Sequence, residues 1–515
     1  MTAGDAGRLL RGSVLLQGGI ASNGSVMIDA AGAIVCAGCG CQNATGAATA
    51  TRIDCANGVI SPGLIDLRNL ITFSQNAPAN DTGERYEHRH DWRLGQNGHG
   101  QIVAPGSATN AQIQWAELRS LMAGVTSATS SGGVANLLRN LATSSRLDGL
   151  TGAAATTATF PLGDSNGTTL ASGCGYPALP TAPASGRFGF VAAEGIDTAA
   201  RNEFLCLSGL QAGGVDVLSN ASVAAAIALR AGDAQAIAQY GASVIWQPRN
   251  DLRLYGMTAP VTLYDTFAVP IALGTVWTPT GSVQLQRELA CADSYNTSYL
   301  ARHFNDAALW KMVTTNAALS AGFGAELGQL GAGRVADIAV FDARSHAGYR
   351  GVIDAQASDV VLVLKGGVPM FGEDSVLAAL GGGDGVCDAL DVCGSARRLC
   401  VQRETGTTLA ALSVSNAGNY PLFQCATPVN EPICKPVRQG SNAAPLFSGD
   451  PTPGDRDGDG VPDATDVCPA VFDPPRPVDG GVQLDSDSDG IGDACDPCPL
   501  DATNACDTIF RNGFE

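Results

Sequence analysis

Gly58–Leu70 reads GVISPGLIDLRNL, and the character of the chain changes across it. Before it, Ser13–Leu16, Gly24–Ile28 and Ala33–Cys36 are apolar bursts separated by Gly, Asn and Asp, the pattern of short strands joined by turns. From about Gly63 onward, strands alternate with helices. Ala111–Met122 predicts a helix with Ile113, Leu118, Leu121 and Met122 on one face; Gly124 ends it and Val125–Thr129 follows as a strand. A second unit takes Asp233 as N-cap, ends at Gly241 and enters a strand at Ser243–Trp246; a third runs from Val261–Phe267 into Val269–Leu273. Repeated helix–strand units over about 260 residues predict an α/β fold whose parallel sheet closes as a (β/α)8 TIM barrel.

After about Leu330 the short-strand style returns in Gly333–Phe341, Val360–Leu364 and Val368–Phe371. The predicted order is therefore a small β-sandwich domain drawn from both flanks (1–60 and 326–380) around a barrel (61–325). A Cys-rich extension (381–446), a Pro/Gly linker (447–454), an acidic repeat (455–507) and a terminal stretch (508–515) complete the chain. Of 515 residues, 49 are acidic and 30 basic. Residues 450–515 hold sixteen of the acidic and only three of the basic ones, so the tail carries most of the net charge of -19. That sign argues against nucleic acid as a partner. No apolar run is long enough for a transmembrane segment, and no signal peptide is visible in Met1–Gly12.

Gly58–Leu70 resembles the first-strand signature of the amidohydrolase superfamily, in which a Pro-Gly-hydrophobic-Ile-Asp run leads into a His-x-His pair. Leu330–Asp342 (LGAGRVADIAVFD) resembles the C-terminal signature of the same superfamily, and Ile271–Ser282 (IALGTVWTPTGS) its eighth-strand region. The likeness spans roughly residues 8–375. It implies a metal-dependent hydrolase acting on non-peptide C–N bonds, with a divalent ion that lowers the pKa of bound water and an aspartate that takes the proton. It also implies further histidines from the fifth and sixth strands and, in binuclear members, a carboxylated lysine.

Those ligand positions are degenerate in this chain. Arg68-Asn69-Leu70 stands where the His-x-His pair is implied, and Val276 where the aspartate is implied. The fifth-strand segment is taken as Phe190–Asp197, with its slot near Val191, and the sixth as Val215–Val223, with Ser219 or Asn220 in the slot. The chain has five histidines and three lysines, none of them between Gly100 and Arg302. Arg68 adds a fixed positive charge where a cation would sit. The expectation is a pseudoenzyme with no zinc in the barrel, acting through a small-molecule ligand or a cell-surface partner. Candidate pocket residues are His88 and His90 in Tyr86–Trp92 (YEHRHDW), Glu194, Trp246, Arg249, Trp277 and Asp293. The two histidines read either as a metal half-site or as hydrogen-bonded or solvated residues of a loop shaping the pocket entrance. Glu194 and Asp293 are acid–base candidates if they reach the pocket, and otherwise salt-bridged or structural carboxylates. Trp246 and Trp277 would stack on a ligand or plug the barrel, and Arg249 would fork onto a carboxylate.

In the tail, Asp455–Asp466 (DRDGDGVPDATD) and Asp485–Asp496 (DSDSDGIGDACD) repeat one spacing. Asp455, Asp457, Asp459, Asp463 and Asp466 match Asp485, Asp487, Asp489, Asp493 and Asp496, with Gly460 and Gly490 at the sixth place. Oxygen ligands in this spacing suit calcium. Pro462, Pro469 and Pro474 oppose the flanking helices of an EF-hand, and the Cys-Pro steps resemble thrombospondin type 3 repeats, which imply a Cys468–Cys495 disulfide and leave Cys498 and Cys506 to pair. Sixteen cysteines point to disulfides, with Cys36, Cys39, Cys41 and Cys55 as an alternative metal knuckle. An extracellular, periplasmic or cell-surface location follows, with Ile509–Glu515 as a weak hint of export. Two other functions stay open: an active C–N hydrolase built around His88 and His90, and an adhesive surface protein working through its calcium tail.

Overall fold

The computed structural model describes residues 1–130, 132–133, 137–440 and 444–506; the expected terminal stretch at 508–515 lies outside them. The fold is mixed α/β. A nine-stranded sheet is assembled from both flanks: Asp5–Leu16, Gly19–Ile28, Ile34–Gly38 and Ala50–Pro62 from the N-terminal side, and Ile338–Asp342, Val360–Lys365 and Val368–Glu373 from the other. Ile338–Asp342 pairs antiparallel with Ala50–Pro62, which seals the two flanks together. Asp388–Val392 and Ser395–Leu399, from the Cys-rich stretch, extend the same sheet at its edge. Its apolar face, with Leu10, Val26, Ile60, Ile338 and Leu364 fully or nearly fully buried, forms a core of its own.

Between the flanks lie two parallel sheets. Five strands pair in the order Ile271–Leu273, Ser243–Trp246, Ala221–Ala225, Phe188–Ala192 and Thr156–Ala158; three pair as Leu64–Asn69, Val125–Ser130 and Arg139–Asn140. Backbone hydrogen bonds join the sheets at both edges. Ala155 N–H donates to the Leu141 carbonyl at 2.8 Å, and Val276 N–H to the Arg68 carbonyl at 2.8 Å. Strands this short and buried on both faces read as continuous apolar runs, as parallel strands flanked by helices do.

The helix–strand units appear close to where periodicity puts them, at Asn110–Met122 into Val125–Ser130, Ala231–Gln239 into Ser243–Trp246, and Val261–Thr266 into Ile271–Leu273. Two local readings need correction. Asp233 is not the N-cap but the third helical residue; its carboxylate accepts the N–H of the capping Arg230 at 3.0 Å. The sixth strand begins at Ala221, so Ser219 and Asn220 form the turn before it, at the opposite end from Arg68. The turn needs a left-handed residue, and Asn220 supplies it at φ 59°.

Candidate functional site

Arg68 ends the Leu64–Asn69 strand beside Gly274, where a Cβ would lie 2.8 Å from the Arg68 Cβ. The missing side chain of Gly274 thus makes room for the arginine. Leu70 donates its N–H to the Val276 carbonyl at 2.6 Å. Val276 itself sits at φ 61°, a left-handed conformation that Asp and Asn tolerate and a β-branched residue does not. The backbone here keeps a shape better suited to the aspartate implied by the sequence likeness than to valine.

A cavity of about 60 Å³ begins at Arg68 and Asn69 and runs down past Ala155, Gly189, Ser222 and Ala224 to Arg187. Small side chains along these strands leave a lumen where bulky branched ones would ordinarily fill a barrel.

His88 and His90 are not on a solvated loop. His88 caps the helix Arg89–Leu94, and the two are only 2 % and 0 % exposed. They meet Asp164 and Glu203, which sequence reasoning missed. His88 Nε2 lies 3.3 Å from Glu203 Oε1 and His90 Nε2 lies 3.0 Å from Asp164 Oδ2. His88, His90 and Glu203 each bring one ligand-type atom within 4.8 Å of the others. Two features work against a metal there. The backbone N–H of His90 donates to His88 Nδ1 at 3.2 Å, and Arg93 donates to His90 Nδ1. In neutral rings both protons therefore sit on Nε2, the atoms that would have to ligate. Arg89 also bridges the carboxylates, ion-paired with Asp164 and 3.1 Å from Glu203. Burial opposes charge on Arg89, but Glu203 and Asp164 outweigh it and hold the guanidinium protonated.

The remaining pocket candidates separate cleanly. Glu194 reaches the strand ends, where it accepts the Tyr255 hydroxyl at 3.1 Å. Burial raises its pKa, with Arg89 and Arg68 pulling the other way. Asp293 does not reach the pocket; it lies on the helix Leu285–Tyr299 and forks with Arg350 at 2.8 and 2.9 Å. Arg249 is saturated. It donates to Ser282 Oγ at 2.6 Å and to the carbonyls of Arg287 and Pro432, and pairs with Glu431, so its fork is unavailable to a ligand. Trp246 is fully buried with its indole N–H on Thr258 Oγ1 at 2.8 Å. Trp277 packs between Phe73 and Trp92 at ring distances of 5.6 and 5.5 Å. Both tryptophans fill space.

The tail packs against this end of the parallel strands. Arg476 donates to the carbonyls of Ile227 at 2.6 Å and Leu229 at 2.9 Å, and Val478 N–H donates to the Ile196 carbonyl at 2.9 Å. Its two acidic loops are built alike. Asp455 accepts the N–H groups of Gly458 and Gly460, as Asp485 accepts those of Ser488 and Gly490. Asp455, Asp457 and Asp459 converge, and so do Asp485, Asp487 and Asp489. Asp473 joins Asp459 and Asp466 in a further cluster; the spacing gave no sign of it because it lies outside the repeat. Asp463 and Asp493 do not join; they turn to Arg456 and to Ser486. One oxygen each of Asp457, Asp466, Asp487 and Asp496 is buried without a hydrogen-bond partner. Burial, and then neighbouring carboxylates, push Asp457 up to about 8 and Asp459 to about 7.

Seven disulfides are present: Cys36–Cys41, Cys174–Cys206, Cys291–Cys434, Cys387–Cys400, Cys393–Cys425, Cys468–Cys495 and Cys498–Cys506. Cys39 and Cys55 stay free. The four-cysteine knuckle does not form, because two strands of the sheet separate the strand of Cys55 from that of Cys36. No helix among the described residues is long and apolar enough to cross a membrane.

No family model and no curated protein sequence matches the chain. Solved structures do. An adenosine deaminase from Xanthomonas campestris with bound zinc aligns over 80 % of this chain and 97 % of its own, at 15 % identity and a TM-score of 0.52. A triazine hydrolase variant aligns over 80 % and 99 % at 17 % identity and 0.54. The atrazine chlorohydrolase of Arthrobacter aurescens TC1, complexed with zinc, aligns over 80 % and 99 % at 16 % identity and 0.50. At such identities the likeness is one of fold alone: the chain shares the fold of this deaminase and these hydrolases.

Proposed function

We propose that the eight parallel strands form a (β/α)8 amidohydrolase-like barrel that has lost its transition-metal chemistry and now binds a ligand or partner outside the cell. The observation that carries this is Arg68 at the end of the first strand, with Leu70 and Val276 beside it and no His or Lys from 101 to 301. Those side chains do not fit zinc, which takes His, Cys and carboxylate ligands, so no hydrolytic step is derived through it. The fold alone does not restore the chemistry. Elemental analysis of the purified full-length protein tests the reading: calcium is expected without stoichiometric zinc, manganese or iron. One transition-metal ion per chain with chelator-sensitive C–N hydrolysis would overturn it.

That outcome belongs to the second reading, an active hydrolase at His88, His90 and Glu203, favoured by the convergence of one ligand-type atom from each of the three. The tail is read as calcium-binding repeats of the thrombospondin type 3 kind. Asp455, Asp457, Asp459, Asp466 and Asp473 would hold calcium in one loop region and Asp485, Asp487, Asp489 and Asp496 in the other. The buried carboxylate oxygens and the pairing of Cys468 with Cys495 support this. Seven disulfides support an oxidising location.

A further inference from the structure

We infer that the axial cavity is a binding site for a small planar oxyanion, a carboxylate of about formate or acetate size, held by the guanidinium of Arg68. The inference rests on the reading of a metal-free barrel and names the class of its ligand.

Among the described residues the Arg68 guanidinium makes no hydrogen bond and no ion pair, and its Nε is buried while the side chain as a whole is partly exposed. A partly desolvated cation without a counter-ion is costly. A guanidinium fork matches a carboxylate in two parallel hydrogen bonds. Three buried arginines at this end of the strands are already engaged: Arg89 by Asp164 and Glu203, Arg249 by Ser282 and Glu431, and Arg438 by the carbonyls of Tyr86 and Tyr255. Arg68 alone among these four faces open space. Glu194 and Asp251 feel its charge but form no ion pair with it, and burial drives both carboxyl groups toward their neutral forms.

The rest of the cavity suits such a guest. Thr157 and Thr159 line it with hydroxyl donors, and Asn69 keeps one amide hydrogen beyond the one it gives Asp66, whereas the Ser222 hydroxyl is spent on the Ser320 carbonyl at 2.7 Å. Its volume of about 60 Å³ gives room for a few waters at roughly 10–15 Å³ each, or for one formate- or acetate-sized ion. Thr157 and Thr159 are exposed, so the cavity meets solvent on that side, away from the tail.

The test uses full-length, calcium-loaded protein, with thermal unfolding followed against sodium formate and sodium acetate and against sodium chloride at equal ionic strength. A saturable rise in Tm of several degrees with formate, absent with chloride, is expected. Arg68→Met should abolish it and Arg68→Lys weaken it. Thr157→Trp, at an exposed position, should fill the cavity and abolish the response even where Arg68→Met fails to fold. Equal behaviour in formate and chloride, or an undiminished response in Thr157→Trp, overturns the site. A zinc count on the same sample separates the two claims: zinc-free protein without a formate response sinks the anion site alone, whereas one zinc per chain sinks the metal-free barrel.

Discussion

Asp66 accepts both the backbone N–H of Thr275, at 3.1 Å, and its hydroxyl, at 2.6 Å, and so ties the first parallel strand to the segment after the last. Burial pushes Asp66 up to about 6, with the Thr275 and Asn69 hydrogen bonds working against that rise. A carboxyl raised in the fold favours the folded state while it is protonated. Its contribution is full below about pH 4, declines as pH rises to about 6, and is constant above. The group should therefore cost roughly 3 kcal/mol of stability across that window. Asp66→Asn keeps an acceptor for Thr275 and should remove this slope. Urea unfolding of both proteins at pH 4, 5, 6 and 7 checks it, and identical pH slopes would refute the assignment.

Arg89 is the cation that keeps Asp164 and Glu203 tolerable inside the protein. Arg89→Met should cost about 3–5 kcal/mol, because it strands two buried carboxylates. His90→Ala, which removes a neutral partner, should cost less. Chemical denaturation ranks the two, and a smaller loss for Arg89→Met would show that the cluster is not an ion-pair network.

Val276 carries strain that glycine would release. Val276→Gly at φ 61° should relieve about 1–2 kcal/mol of left-handed backbone cost, partly offset by greater freedom of the unfolded chain. Val276→Asn should also gain stability. A drop in Tm for both would mean that the side chain's packing outweighs its backbone strain.

On the proposed reading of the tail, calcium should hold it against the ends of the parallel strands. Asp473 belongs to the acidic clusters, while Arg476 and Val478 of the same segment bond to the carbonyls of Ile227, Leu229 and Ile196. Removing calcium with a chelator should lower Tm by several degrees and open the 455–496 region to protease. Asp459→Ala should do the same at saturating calcium. Unchanged cleavage with and without calcium would refute the coupling.

Cys291–Cys434 closes 143 residues, whereas Cys36–Cys41 closes 5. The chain-entropy account gives about 5 kcal/mol for the first and about 2 for the second. The double Ala variant of the first pair should therefore unfold at the lower temperature, as calorimetry would show.

Much of the fold was legible because helix–strand periodicity is local. Ser243–Trp246 appears as read; of the flanking strands, Ser13–Leu16 starts earlier, at Asp5, while Gly333–Phe341 shortens to Ile338–Asp342. Arg139–Asn140 and Thr156–Ala158 were not legible, since two or three residues carry no period. The His88 and His90 environment was half legible. The histidines stand out in a chain that has five, but Asp164, 75 residues beyond Arg89, and Glu203 look like any other acids. Asp293 was misread for the converse reason: a carboxylate's role depends on its partner, and Arg350 was invisible to spacing.

The amino-acid order alone determined which side-chain types are missing between residues 101 and 301 and where two aspartate loops recur, because side-chain type and local spacing are written in the covalent chain. Tertiary structure decided which arginine is spent and which is free. Arg249 and Arg68 are the same residue type near the same end of the strands, and a guanidinium's function is set by the acceptors that folding brings within about 3 Å of it.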